Sequence, residues 1–293
     1  MFIKPDEIIQ QYINNSFSKT KMTSTLIIAK SILAGIMIGM GAASSSVAAH
    51  SITNVGLARL IAGIVFPVGL MMVILMGAEL FTGDCLMSTA VARRSISIFQ
   101  MFRVLLLVYI GNFIGSVILS ILIFYSGQLN YSNGLLGAYT IKVALAKTSL
   151  TPLQGITSGI LCNILVCAAV IMAMSSKDVT GKILASFFVV MPFVTGGFEH
   201  CVANMYYITA GLLAKTNQTY IQVASNIYGI SDFASLSVKG FLLKNLLPVT
   251  FGNIIGGSFV IGLPMYYINN NINLNKRSEE YDVHYDYVEN FGN

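Results

Sequence analysis

Charge is scarce in this chain. Asp, Glu, Lys and Arg make up only 10% of its 293 residues, where a soluble domain carries about 25%. That deficit argues against an ordinary water-soluble fold. Cysteine is sparse too, and none of Cys85, Cys162, Cys167 and Cys201 stands in a CxxC spacing, so no zinc or redox motif is visible. They read as small buried residues. There is no Asn-Pro-Ala signature of a neutral-solute channel, no serine–histidine–aspartate set and no histidine–glutamate zinc motif. Nor does any cage of carboxylates point to a divalent-cation path. We expect no enzyme activity, no cofactor, no metal and no nucleic-acid partner.

What the chain has in abundance is apolar sequence. Hydrophobic residues reach 55% and the mean hydropathy is +0.74. Long apolar stretches recur at Leu26–Ala49, Leu57–Leu80, Val104–Tyr125, Leu153–Met174, Ile183–Gly197 and Phe241–Ile268. Most reach the roughly 20 residues a helix needs to cross the hydrocarbon, and the fifth is somewhat short. The reading is an all-α membrane protein with six transmembrane helices over 26–268, an N-terminal segment over 1–25 and a tail over 269–293. The first stretch is too long for the cleaved core of a signal peptide, about 7–15 residues, so it is taken as a retained helix.

Six spans put both ends on one side. Lys4, Lys19, Lys21, Lys30, Arg93, Arg94, Arg103, Lys177, Lys182, Lys276 and Arg277 fall there, eleven cations against six opposite (Arg59, Lys142, Lys147, Lys215, Lys239, Lys244). The positive-inside rule then makes both termini cytoplasmic.

An internal echo joins the halves. "GNFIGS" at Gly111–Ser116 and "GNIIGGS" at Gly252–Ser258 lie 141 residues apart, three spans on. Small residues there permit close helix packing. Two copies in corresponding spans predict a duplicated three-helix unit, and an odd number of spans makes it an inverted repeat. Interruptions also match. The second span contains Pro67 and then "GAELFTGD" (Gly77–Asp84); the fifth contains Pro192 and then "TGGFEHCVANM" (Thr195–Met205). Broken helices are tolerated at membrane depth only where protein or water satisfies the freed backbone. Matching breaks therefore predict an aqueous path or binding site between the halves.

Within the breaks, His200 is the main functional candidate, because an ionisable side chain is expensive inside a membrane. Glu79 and Glu199 read as structural anchors for freed amides. Thr82 is either a helix cap or a path-facing hydroxyl. Asn163 either glues helices or lines the lumen. Asn204, four residues after His200, shares its helical face, so the two could share one solvent surface. Half-helix starts offer free amides and a positive dipole end, which favour anions. On these grounds the chain is a channel for a small polar or anionic solute.

The motifs "GAELFTGD" and "GGFEHCVANM", with "SILAGIMIGMGA", "FPVGLMMV" and "GILCNILVC" in order between and before them, strongly resemble the formate/nitrite transporter family over nearly the whole chain. That resemblance implies an aquaporin-like homopentamer in the cell membrane, with one pore per protomer. The permeant would be a small monovalent anion: formate first, with nitrite and hydrosulfide as alternatives. It implies a central His200 facing Thr82, pore-facing amides at Asn163 and Asn204, and Lys147 near the outer mouth. One constriction falls to Phe66 and Phe193; the other to Leu70, Leu80 and Val166 with Phe81 beside it. Asp84 departs from the pattern, since members often carry an uncharged residue there; it is expected to point away as a cap for the following half-helix, the alternative being that it tunes entry. A proton passed from His200 to the entering anion is one expected mechanism, a plain hydrogen bond from it the other. The N-terminal segment is expected either to form an amphipathic helix at the cytoplasmic mouth or to be a tail. His284 in the final segment is expected to be inert.

Overall fold

The computed structural model describes residues 2–269. The expected tail, with His284, otherwise lies outside the described residues. Helices account for nearly all of the regular structure. α1 (Pro5–Lys21) starts with Pro5 at its first turn beside Asp6 and Glu7 and ends with Lys19 and Lys21, an order that suits the helix dipole. α2 (Ser24–Ala49) is capped by Thr23, whose side chain accepts the Leu26 N–H at 3.3 Å. The second span is two pieces, α3 (Val55–Val65) and α4 (Val68–Met76), meeting at Phe66–Pro67; proline lacks the amide that would continue the ladder.

Beyond a gap come α5 (Phe81–Asp84), a tight turn at Cys85–Met87 and α6 (Ser88–Ala92). α7 (Ile98–Tyr125) opens with a Ser97–Gln100 capping box, and α9 (Pro152–Met174) with a Thr151–Gln154 box. Between them runs α8 (Leu135–Thr148). α10 (Val179–Gly196) carries Pro192 inside it and is followed after a second gap by α11 (Cys201–Ala214), then α12 (Gln218–Tyr228). The sixth span, Gly240–Asn269, contains α13 (Leu247–Ile254) flanked by wide π-helical stretches.

Among the described residues, six helical spans are long and apolar enough to cross a membrane, as expected. Three boundaries moved by four residues or more. The fifth span begins at Val179 rather than Ile183. The third span begins at Ile98 rather than Val104, which carries Arg103 into the helix; its Nη2 donates to Ser24 Oγ at 2.9 Å. The second ends at Met76 rather than Leu80 because Gly77 turns left-handed, φ 65°. The N-terminal segment is a helix, and its apolar side (Ile8, Ile9, Tyr12 and Ile13) is buried. The Ile3 N–H donates to the Ser175 carbonyl at 2.9 Å. Together with the Arg103 bond, this puts the N-terminus and the two basic loops on one side of the molecule.

The halves pack in the same way. α7 lies along α2 and α13 along α9 with backbones nearly touching. A methyl built on Gly115 would stand 2.1 Å from the Ile32 carbonyl oxygen, and one on Gly256 2.4 Å from that of Ile160. These glycines are 141 residues apart, the interval of the sequence echo.

Candidate functional site

Each gap between helices is built by one asparagine. At the first, the chain leaves α4 through Gly77 and runs extended through Leu80 before α5 begins. Asn112 Oδ1 accepts the Phe81 N–H at 3.0 Å, while its Nδ2 donates to the carbonyls of Glu79 (3.0 Å) and Ser31 (2.8 Å). At the second, Gly197 is left-handed, φ 72°. Asn253 Oδ1 accepts the Cys201 N–H at 2.9 Å, and its Nδ2 donates to the carbonyls of Glu199 (3.0 Å) and Gly159 (2.8 Å). Both asparagines are fully buried. They satisfy amides and carbonyls that would each cost about 1–3 kcal/mol if buried unpaired. Sequence reading saw these residues only as part of a packing echo. The signal was the asparagine itself, repeated at the same interval as its glycine.

Between the gaps, Thr82 and His200 meet. His200 is the N-cap of α11: its Nδ1 accepts the Ala203 N–H at 3.0 Å. A nitrogen that accepts an amide carries no proton, so the neutral ring bears its hydrogen on Nε2. That N–H donates to Thr82 Oγ1 at 2.9 Å. Both residues are buried. Phe193 stacks on the imidazole, centroids 6.0 Å apart, and takes an edge contact from Phe66 at 5.4 Å. Leu70 and Leu80 line a cavity of about 360 Å³ with Val73, Val170, Lys19 and Gly83, the residue after Thr82. Val166 is buried, and Phe81 packs edge-on against Tyr109 at 4.8 Å, beside this cavity rather than in its lining.

The carboxylates of the breaks, Glu79, Asp84 and Glu199, each pair with a lysine. Glu79 and Glu199 therefore do not anchor the freed amides as expected; Asn112 and Asn253 do. Glu199 receives Lys147 at 3.0 Å on Oε1, and Asn204 (2.6 Å) and Asn245 (3.2 Å) on Oε2. Glu79 receives Lys30 at 2.9 Å and Lys19 at 2.5 Å. Lys19 also binds Asp84, and the Tyr12 hydroxyl donates to the Gly83 carbonyl at 2.8 Å. Burial alone would lower the Lys19 pKa, but Asp84, Tyr12 and Glu79 outweigh it and hold this lysine well above its ordinary value. Sequence reading left Lys19 and Tyr12 out of the site, because nothing local says where a terminal helix will dock, and Lys30 out because its partner Glu79 lies on another span.

Two further expectations need correction, and the two readings of Asn163 are decided in favour of gluing helices. Asp84 makes no cap bond; its carboxylate pairs with Lys19, whose charge reaches it from α1. Asn204 shares no solvent surface with His200: it is fully buried, its amide tied to Glu199 and Asn245. Asn163 spends both amide hydrogens on the carbonyls of Thr82 (3.1 Å) and Asn253 (2.6 Å), so it holds the wall behind Thr82. Lys147, implied by the resemblance to stand near the outer mouth, lies in the last turn of α8.

Residues 6–267 match the formate/nitrite transporter family model. The chain belongs to the formate/nitrite transporter family. It is 40% identical to the formate channel FocA of Haemophilus influenzae over 219 residues, 73% of this chain and 75% of that one. It is 30% identical to a formate-nitrite transporter of Plasmodium knowlesi over 259 residues, covering 84% and 77%. Among solved structures it is similar to a pentameric formate channel with formate bound, with TM-score 0.74, 32% identity and 84% and 97% of the two chains covered. An ion channel described as of the same family gives TM-score 0.77 at 27% identity, covering 89% and 98%. As a formate/nitrite transporter family member, the chain is a multi-pass membrane protein with two breaks whose backbones are tied in parallel ways.

Proposed function

We propose that this protein is a cell-membrane channel for small monovalent anions, formate first, assembled as a homopentamer with a pore in each protomer and both termini cytoplasmic. The observation that carries this reading is the Thr82–His200 pair, buried between two helix breaks with Phe193 stacked on the imidazole and Phe66 against Phe193. The kinship with formate channels supports the substrate; the neighbour described as pentameric supports the assembly. The matched asparagine bonds support reading the halves as inverted copies.

The chemistry follows from the site. Apolar collars strip water from the permeant, which is costly for a bare ion. The pair between them offers the hydroxyl of Thr82, polarised by the Nε2–H it accepts, and that Nε2–H itself once it turns from Thr82 to a carboxylate or nitrite oxygen. His200 acts here as a hydrogen-bond donor. A relay in which it hands a proton to the anion needs a second proton at Nδ1, and so the loss of the bond from the Ala203 amide. Nitrite or hydrosulfide is the alternative permeant, since the pair asks only for a small acceptor.

Competition decides the substrate. Purified protein in proteoliposomes should pass radiolabelled formate, and unlabelled nitrite or hydrosulfide should reduce that flux. Passage of glycerol with no formate flux contradicts the proposal and favours a neutral-solute channel.

A further inference from the structure

The two breaks are alike in backbone but not in charge. Gly77 and Gly197 stand 120 residues apart, each closing a helix in the left-handed region. Such a helix end presents unpaired carbonyls and a partial negative charge, which repels an approaching anion. A methyl built on Gly77 would meet nothing within 4 Å, whereas one on Gly197 would stand 2.2 Å from Nη1 of Arg59. The Arg59 guanidinium therefore rests on the end of α10. Arg59 is exposed, and among the described residues it forms no ion pair.

No carboxylate pairs with it, unlike Lys147, which Glu199 holds at 3.0 Å, and the partial charge of a helix end offsets only part of a full cation. At the other break, Lys19 and Lys30 face Glu79 and Asp84, two cations against two carboxylates. Arg59 also stands in line with the aromatic pair. It precedes Phe66 by two helical turns on one face of α3, about 10 Å along the axis. Gly197, on which it rests, follows Phe193 by one turn. The Phe66 and Phe193 rings meet at 5.4 Å, so the guanidinium stands outside them on the approach.

We propose that Arg59 is an anion-capture residue: its free guanidinium offsets the negative end of α10 and holds a small monovalent anion ahead of the Phe66–Phe193 pair. This rests on the channel reading above and adds a residue that sets how well the pore fills at low substrate.

Formate flux into proteoliposomes tests it, measured against formate concentration for wild type, Arg59→Gln, Arg59→Lys and Arg59→Cys. Arg59→Gln should lower flux at sub-saturating formate about three-fold to ten-fold and leave the maximal rate unchanged, while Arg59→Lys stays near wild type. High salt should erase the difference, because screening shortens the reach of an exposed charge. A cationic thiosulfonate on Arg59→Cys should restore flux and an anionic one should lower it further. The assignment is overturned if Arg59→Gln matches wild type at low formate, if it lowers the maximal rate instead, or if both reagents act alike. A wild-type protein that passes no formate removes the channel reading itself, a result distinct from any of these.

Discussion

Asn112 and Asn253 make the same three hydrogen bonds at opposite breaks: each accepts the amide that starts a half-helix, and each donates to the carbonyl of a glutamate and to one on the neighbouring span. A membrane offers no water to replace these bonds. Asn112→Ala and Asn253→Ala should therefore each destabilise the fold by several kcal/mol, since three buried groups lose partners at about 1–3 kcal/mol apiece. The two variants should fall by similar amounts in thermal unfolding in detergent. A variant that melts with wild type shows that its break is held by other contacts.

The Lys147–Glu199 pair gives a sharper test, because burial makes removal of one partner costly. Both side chains are largely buried. Lys147→Met leaves Glu199 uncompensated and should cost about 3–5 kcal/mol. Lys147→Met combined with Glu199→Gln should recover part of that loss. Full additivity of the two single changes in a double-mutant cycle contradicts a direct coupling.

Lys19 ties α1 to the first break through Glu79 and Asp84. Lys19→Met should raise amide hydrogen exchange along α1 while leaving α9 and α13 protected. The pH dependence has a definite sign. Folding raises the lysine pKa, so its contribution is complete below the ordinary value of about 10.4 and fades only as pH climbs through the folded value. Lys19 itself should therefore keep α1 seated across the neutral range. Unchanged exchange in α1 on losing Lys19 shows that the apolar side of the helix suffices.

The architecture was legible because the membrane imposes it: span length, the two Gly-rich interruptions and the repeated Gly-Asn pair each have a physical reading in one dimension. His200 was singled out as an ionisable group where polarity is expensive, whereas its pairing with Thr82 was implied only by the family resemblance. The partnerships were not legible. Nothing local to Asp84 announces Lys19, sixty-five residues earlier, and nothing near Gly197 announces Arg59. α8 and α12 escaped notice because, at 14 and 11 residues, they are too short to register as spans. Asn163 and Asn204 were correctly placed at depth, yet which of their atoms face a neighbour depends on helices distant in sequence.

The central claim is that the imidazole of His200 meets the permeant and gives it a hydrogen bond. The most direct measurement is formate flux through His200→Asn in proteoliposomes between about pH 5 and about pH 8, where an ordinary imidazole titrates. Asparagine can cap α11 and also offers an N–H donor. The account predicts reduced but measurable flux whose dependence on pH keeps the wild-type shape. Flux that loses its pH dependence would contradict it and make His200 a proton relay, and flux equal to wild type at every pH would place the ring outside the path altogether.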